Sequence, residues 1–285
     1  MEIRSVGVVG LGTMGAGIAQ VAIEAGFDTV GRELTEELGE KARGRIDHFL
    51  TRKVEKGTLE RAKRDEIAGR LRLTTDLDDL ADCDMVIEAA LEDLDLKREL
   101  FAELDRLLKP DAIVATNTSA LSVTELAAVT SRPGRVVGMH FFNPAPLMPL
   151  VEIVRTEVID DEAYETAFEF GERLGKTPIR CHDTPGFVVN RVLIPLLNDC
   201  VRVLDEARVT PEDLDRGMKH GAGWPMGPCE LLDLVGIDIH VQASEALYGA
   251  LREPRMAPPV RLVRMAQAGL LGRKTGRGFF AYGES

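Results

Sequence analysis

In the stretch GMHFFNPAPLMPLVEIV, His140 and Glu152 stand twelve residues apart with three prolines between them. An imidazole beside a carboxylate has the makings of a general base. The carboxylate fixes the ring's tautomer and strengthens it as a proton acceptor, which suits removal of a proton from an alcohol. The plain alternative is a structural histidine and an unrelated strand carboxylate, because acid and base pairs mark sites only probabilistically. Glu152 lies in the apolar run LVEIVR, where a buried charge needs a partner. An antiparallel hairpin through FNPAPLMP would supply one by laying the two segments side by side.

Other polar groups invite a chemical reading. Thr116-Asn117-Thr118-Ser119 follows the strand-like AIVA, and Ser119 or Ser122 is open to the blander role of helix cap. Asn190 lies in the apolar helical run FVVNRVLIPLL, where a buried amide must find partners, either in packing or facing a cleft at the start of a second domain.

Gly10-Leu11-Gly12-Thr13-Met14-Gly15 fits G-x-G-x-x-G between a strand and a helix, the turn that binds dinucleotides. Gly10 permits the tight turn, Gly12 lets the backbone approach a pyrophosphate, and Gly15 lets helix pack on strand. The helix N-terminus then offers N–H groups and a positive dipole end to the phosphates. Alone the motif is weak, but Glu33 stands eighteen residues after Gly15 at the end of the next strand. A carboxylate there accepts the adenosine ribose hydroxyls and repels a 2′-phosphate, which favours NAD. The neighbouring Arg32 leaves NADP open. A base, groups to hold substrate oxygens and a bound nicotinamide are together the parts of a hydride-transfer site.

The elements that must position these residues follow from periodicity. Short apolar runs, SVGVVG, FDTVGR, LRLTT, DMVIEA, AIVATN, RVVGMHF and LVEIVR, alternate with helical stretches at residues 14–25, 94–107 and 123–128. This is the pattern of a parallel sheet wrapped by helices. Residues 35–70 are a charged helical stretch broken at Lys56-Gly57-Thr58, which predicts a helical hairpin. KTPIRC reads as a last strand. HDTPGF offers Asp183 or Thr184 as an N-cap with Pro185 in the first turn. Beyond it, FVVNRVLIPLLNDCVRVLDEA, TPEDLDRGMKHG, PCELLDLVGIDIHVQASEAL and VRLVRMAQAG all have helical period. The expected division is therefore an α/β Rossmann-type domain with a helical hairpin over residues 1–184, followed by an all-α domain over residues 185–285.

Bulk properties narrow the function. The 285 residues are enough for two domains with their own cores, and 45% hydrophobic with 29% charged residues is ordinary globular composition. The net charge of −12 argues against nucleic acid as a partner. No tract suits a bilayer span, and MEIRSVGVVGLG has no signal-peptide character, so a cytoplasmic enzyme without a membrane partner is expected. Cys83, Cys181, Cys200 and Cys229 are widely spaced and read as buried thiols; no metal-ligand spacing occurs among the histidines.

The segments GLGTMGAGIAQ, ATNTSALSVTELA, GMHFFNPAPLMPLVEIV, DTPGFVVNRVL, GAGWPMGPCELLDLVG and GRKTGRGFFAY occur in the order and spacing of the L-3-hydroxyacyl-CoA dehydrogenases. The chain resembles that family over essentially its whole length, and its size is similar to that of the bacterial 3-hydroxybutyryl-CoA dehydrogenases. The resemblance implies NAD-dependent interconversion of 3-hydroxyacyl-CoA and 3-ketoacyl-CoA, the chemistry of fatty-acid β-oxidation, by a homodimer joined through its helical domain. It implies that His140 is the base, paired to Glu152, with Ser119 and Asn190 holding substrate oxygens. It places Glu92, Lys97, Ser119, Asn143 and Lys274 beside the cofactor; taken as residues alone, Lys97 and Lys274 are equally solvated charges. It assigns Lys56 on the hairpin to the CoA moiety, with Arg52 and Lys53 completing a basic cluster that an anionic CoA phosphate would need. Phe49 departs from the family, which often has a CoA-contacting serine there.

Two other readings share these residues. One is a dehydrogenase of a free hydroxy acid, of gulonate or carnitine type, which needs no CoA site. The other is a catalytically silent, crystallin-like relative, against which the set Ser119, His140, Glu152 and Asn190 argues.

Overall fold

The computed structural model describes residues 1–283. It divides into two compact units, Met1–Thr184 and Pro185–Ser285.

Unit 1 is built on one eight-stranded sheet in the order β3-β2-β1-β4-β5-β6-β7-β8. Its strands are β1 Ser5–Val9, β2 Asp28–Arg32, β3 Leu71–Thr74, β4 Met85–Glu88, β5 Ile113–Thr116, β6 Val136–Phe141, β7 Leu150–Arg155 and β8 Thr177–His182. Strands β1 to β6 are mutually parallel, β7 turns back antiparallel to β6, and β8 runs parallel to β7. Every residue of β4, β5 and β6 is buried. Covering by helices on both faces explains why these strands read as unbroken apolar runs rather than alternating ones. Val9 pairs with Glu88, Glu88 with Thr116, and Thr116 with Gly138. The segments following β1, β4 and β5 and the last residues of β6 therefore collect along one carboxyl edge, where open α/β sheets bind ligands.

Helix α1, Thr13–Glu24, follows the glycine loop, and α2, Glu36–Glu55, with α3, Arg61–Gly69, forms the expected hairpin. Thr35 caps α2 by accepting the Leu38 N–H at 3.3 Å, and Gly57, at φ +69°, follows its C-cap. Only Gly39, Ala42, Ile46 and Leu50 of α2 are buried, a stripe at three- and four-residue spacing. Helix α4, Leu94–Leu107, is capped by Asp93, and α5, Val123–Ala127, by Ser122, which accepts the Glu125 N–H at 3.2 Å.

The structure corrects the sequence reading in three places. An additional helix, α6, Asp161–Arg173, joins β7 to β8. Asp183 and Thr184 do not cap the next helix. Gly186 and Phe187 take positive φ values of +77° and +48°, so helical geometry resumes only with α7, Val189–Glu206, behind Val188. Asp183 instead accepts the Thr124 N–H at 2.7 Å and the Ser122 hydroxyl at 3.0 Å, bracing the start of α5. The long helical run from Pro228 is two helices, α9 Pro228–Val235 and α10 Ile237–Leu251, parted by Gly236 at φ +103°.

Unit 2 is otherwise helical as expected, with α8 Pro211–Gly221 and α11 Val260–Gln267. Two buried carboxylates tie its segments together. Asp215 on α8 accepts the Cys229 and Glu230 N–H groups that open α9, and Asp233 accepts the Phe279 and Phe280 N–H groups and the Tyr282 hydroxyl. Among the described residues no helix is long and apolar enough to cross a membrane. All four cysteines are free and buried, two in each unit; burial raises the Cys83 thiol to about 11 and the Cys181 thiol to about 12, and pushes Cys200 and Cys229 up as well.

Between α7 and α10, Asn198 fills its hydrogen-bonding capacity inside the core. Its Nδ2 donates to the Arg255 and Met256 carbonyls and the Ser244 hydroxyl, so its Oδ1 receives the His240 Nε2–H at 2.9 Å. Burial lowers the His240 pKa from 6.5 to about 4. The unfolded chain therefore takes up a proton on His240 between those values while the folded chain resists it. This contribution to stability is fully present above pH 6.5 and is lost progressively toward pH 4, by about 3 kcal/mol in the limit. Urea unfolding of unit 2, followed through Trp224, is expected to weaken over that window, and His240→Gln should flatten that part of the dependence. A variant whose pH dependence parallels the parent's would refute this account.

Candidate active site

The antiparallel pairing of β6 and β7 sets His140 directly opposite Glu152. Their side chains meet, His140 Nδ1 lying 2.6 Å from Glu152 Oε2, with 6% of the histidine and none of the glutamate exposed. The hairpin thus supplies the partner that a buried strand carboxylate needs. The Phe142 ring packs against the imidazole with centroids 4.6 Å apart.

Alongside, the loop after β5 is fixed from two sides. Asn117 Oδ1 accepts the Phe141 N–H at 2.9 Å, tying this loop to the strand that carries His140. Glu92 Oε1 accepts the Thr118 hydroxyl at 2.6 Å, the Ser119 N–H at 2.9 Å and the Ser119 hydroxyl at 3.3 Å. Ser122, not Ser119, is the helix cap. Glu92 is held in turn by Lys97, whose Nζ lies 3.4 Å from Glu92 Oε2 and 2.5 Å from Glu88 Oε1. Lys97 is 1% exposed, so it is no solvated charge. Glu88, fully buried at the end of β4, also accepts the Thr116 hydroxyl and the Ala90 N–H. Sequence reasoning missed Glu88, although a carboxylate closing the apolar run MVI is the same signal that singled out Glu152.

The glycine loop has the shape its residues require. Gly10 sits at φ +84°, and a Cβ on Gly15 would lie 1.8 Å from the Gly10 carbonyl oxygen, so both positions demand glycine. Gly12 meets nothing within 4 Å of an added Cβ and is the N-cap of α1, with no side chain capping that helix end. The open approach at Gly12, the uncapped N-terminus through Thr13 and Met14, and the carboxylate of Glu33 fit the pyrophosphate and ribose of a dinucleotide. Glu33 accepts the N–H groups of Leu11 at 2.7 Å and Leu34 at 2.8 Å, which anchors it at the loop. Arg32 turns to the Thr75 carbonyl.

Next to this loop is a largely apolar cavity of about 480 Å³. It lies between α1 (Thr13, Ala16, Gly17, Gln20), the C-terminal half of α2 with its C-cap Lys56, and residues 143–147. Asn143, Lys53 and Lys56 line it together with Phe49 and Arg52. Lys53 is paired with Glu24 at 2.5 Å. Lys176, which sequence reasoning also missed, braces the outer wall by donating to the Ala145 and Met148 carbonyls. Nothing in the sequence pointed to it, because both of its partners are backbone atoms of a distant turn.

Two of the expected site residues belong to unit 2. Asn190 is the second residue of α7 and is half-buried. Lys274, also in unit 2, forms an ion pair with Asp238 at 2.6 Å. Among the described residues no cluster of His, Cys, Asp or Glu could hold a metal ion.

Comparison with known proteins gives matches along the whole chain. Residues 5–184 match the family model of the 3-hydroxyacyl-CoA dehydrogenase NAD binding domain, and residues 186–282 match that of the C-terminal domain. A 3-hydroxybutyryl-CoA dehydrogenase of Mycobacterium tuberculosis is 46% identical over 98% of this chain and 99% of its own length. The mouse mitochondrial hydroxyacyl-coenzyme A dehydrogenase is 40% identical over 98% of this chain and 91% of its own. Among solved structures, (S)-3-hydroxybutyryl-CoA dehydrogenase PaaH1 of Ralstonia eutropha superposes with a TM-score of 0.96 at 41% identity, covering 99% of this chain and 100% of that one.

Proposed function

The chain belongs to the 3-hydroxyacyl-CoA dehydrogenase family and is an NAD-dependent oxidoreductase of that class, and from this premise we propose that its substrate is a short L-3-hydroxyacyl-CoA, in the first place 3-hydroxybutyryl-CoA. The observation that carries the catalytic assignment is the buried His140–Glu152 pair on the carboxyl edge of a dinucleotide-binding sheet.

The cofactor is assigned to Gly10, Leu11, Gly12, Thr13, Met14 and Gly15 at its phosphates and Glu33 at its adenosine ribose, with Glu92, Lys97, Ser119 and Asn143 toward its nicotinamide end. Lys274 joins them on the family motif alone. When bound, NAD supplies the hydride acceptor. The chain's own residues handle the proton. With Nδ1 held by Glu152, His140 takes the 3-hydroxyl proton at Nε2, and the carboxylate stabilises the imidazolium that results. In the reverse direction the same nitrogen returns the proton to the ketone oxygen. Burial of the pair keeps water away from this exchange. Ser119, fixed by Glu92, is assigned to the substrate oxygen; for Asn190 the support is the DTPGFVVN motif.

Lys56 and Lys53 on the hairpin are assigned to the CoA phosphates. We further propose a homodimer through unit 2, supported by Val192 and Val203, apolar, exposed and on one face of α7. The chain is assigned to the cytoplasm, supported by its four unpaired thiols.

The test is a substrate panel of C4 to C16 3-ketoacyl-CoAs and free 3-keto acids with NADH and NADPH. The C4 thioester with NADH is expected to give the highest kcat/KM. Lys56→Glu should raise KM for acetoacetyl-CoA by roughly tenfold, the usual scale for reversing a charge at an anion site. Preference for a free acid, or an unchanged KM in Lys56→Glu, would remove the CoA assignment.

A further inference from the structure

We propose that Phe49 is a specificity-determining residue for the nucleotide end of the substrate, the aromatic platform on which the adenine of the CoA moiety stacks. This rests on the acyl-CoA reading above and goes beyond it in naming the group that Phe49 recognises.

Helix α2 buries Ile46 and Leu50, yet leaves the ring of Phe49 between them 46% exposed and facing the cavity. A ring left exposed in the lining of an apolar cavity is surface that a ligand entering the cavity would cover. Arg45, Arg52 and Lys56 stand four residues before, three after and seven after Phe49, so the helical repeat places all of them on the ring's side of the helix. Their charges are not spent within the protein. Lys53 is answered by Glu24, but among the described residues no carboxylate pairs with Arg52 or Lys56. Arg45 donates Nη2–H to the Leu11 carbonyl at 2.7 Å, while its buried Nε–H has no partner. In a chain of net charge −12, a run of unanswered cations flanking a bare ring is a local reversal of sign.

The rest of the lining supports the same ligand. Ala145, Pro146 and Leu147 add apolar surface to the cavity, and Lys176 fixes their segment by donating to the Ala145 and Met148 carbonyls. A cavity lined by an aromatic ring, by apolar and proline side chains and by cations suits a purine carrying phosphates. Every base offers a π-face to an aromatic platform, and guanidinium and ammonium groups take the phosphates. A pantetheine arm or a short acyl chain would use the apolar walls but would leave Arg52 and Lys56 without a purpose.

The experiment compares acetoacetyl-CoA with acetoacetyl-pantetheine, which keeps the reacting end and lacks the nucleotide, in the parent enzyme and in Phe49→Ala and Phe49→Tyr. Because Phe49 is nearly half exposed and stands outside the buried stripe of α2, neither variant threatens the fold. Phe49→Ala is expected to raise KM for acetoacetyl-CoA roughly five- to hundredfold, the scale for removing an aromatic partner from one stacked base. Phe49→Tyr should restore the parent value. With acetoacetyl-pantetheine the parent and Phe49→Ala should share one KM, as they should for NADH. Equal rises in KM for both thioesters would place the ring on the pantetheine or acyl portion and overturn the proposal. So would a change confined to NADH, or no change at all. Failure of the parent enzyme to reduce either thioester would instead strike the acyl-CoA reading itself.

Discussion

Replacing His140 with glutamine is expected to leave a folded protein that binds NADH normally but reduces acetoacetyl-CoA at least about a hundredfold more slowly, the lower bound for losing a positioned general base. Glutamine has nearly the reach of histidine, and its amide N–H can still donate to Glu152, so the buried carboxylate keeps a partner. What it cannot do is take up and release a proton. The loss should therefore fall on kcat, with the dissociation constant of NADH, read by fluorescence titration, unchanged. A variant with the parent's turnover would remove His140 from the mechanism.

The second large effect is expected at Glu152→Gln, where kcat should fall roughly 10² to 10⁴-fold, the range seen when the carboxylate that orients a catalytic imidazole is neutralised. The amide is nearly isosteric, so the β6–β7 pairing survives. It offers His140 either an oxygen or an NH2 group, so the preference for a proton on Nδ1 is lost, and the imidazolium formed on proton transfer loses its counter-charge. Stability should move the other way or stay level. A fully buried carboxylate is costly to desolvate, and a neutral side chain of equal volume is often no worse. Paired measurements of kcat and Tm test both halves. A fall of less than about threefold in kcat would reduce Glu152 to a structural role.

Much of this arrangement was legible because it rests on local pattern. The strands announce themselves as apolar runs, the glycine loop by positions that tolerate no side chain, and the His140–Glu152 contact by a charge on a strand that needs an answer near in sequence. Helix α6 was overlooked although its pattern is legible: Ala163, Ala167, Phe170 and Gly171, with Tyr164 beside them, recur at three- and four-residue spacing on its buried face. The turn at residues 184–188 looks like a capped helix start, and only the positive φ of Phe187, a conformation no propensity favours, shows otherwise. Lys97 resembles a solvated charge in the run DLKREL. Its burial depends on Glu88, which stands on a different element, so the pair appears only when the chain is folded.

The four thiols have a practical consequence. Cys83 and Cys181 lie in unit 1, Cys200 and Cys229 in unit 2, and all are buried and held protonated. Modification by an alkylating reagent therefore waits on an opening of the backbone around each one. The chain carries two internal clocks in each unit, and mass-resolved labelling would time the breathing of the nucleotide-binding half separately from that of the helical half, with no engineered probe.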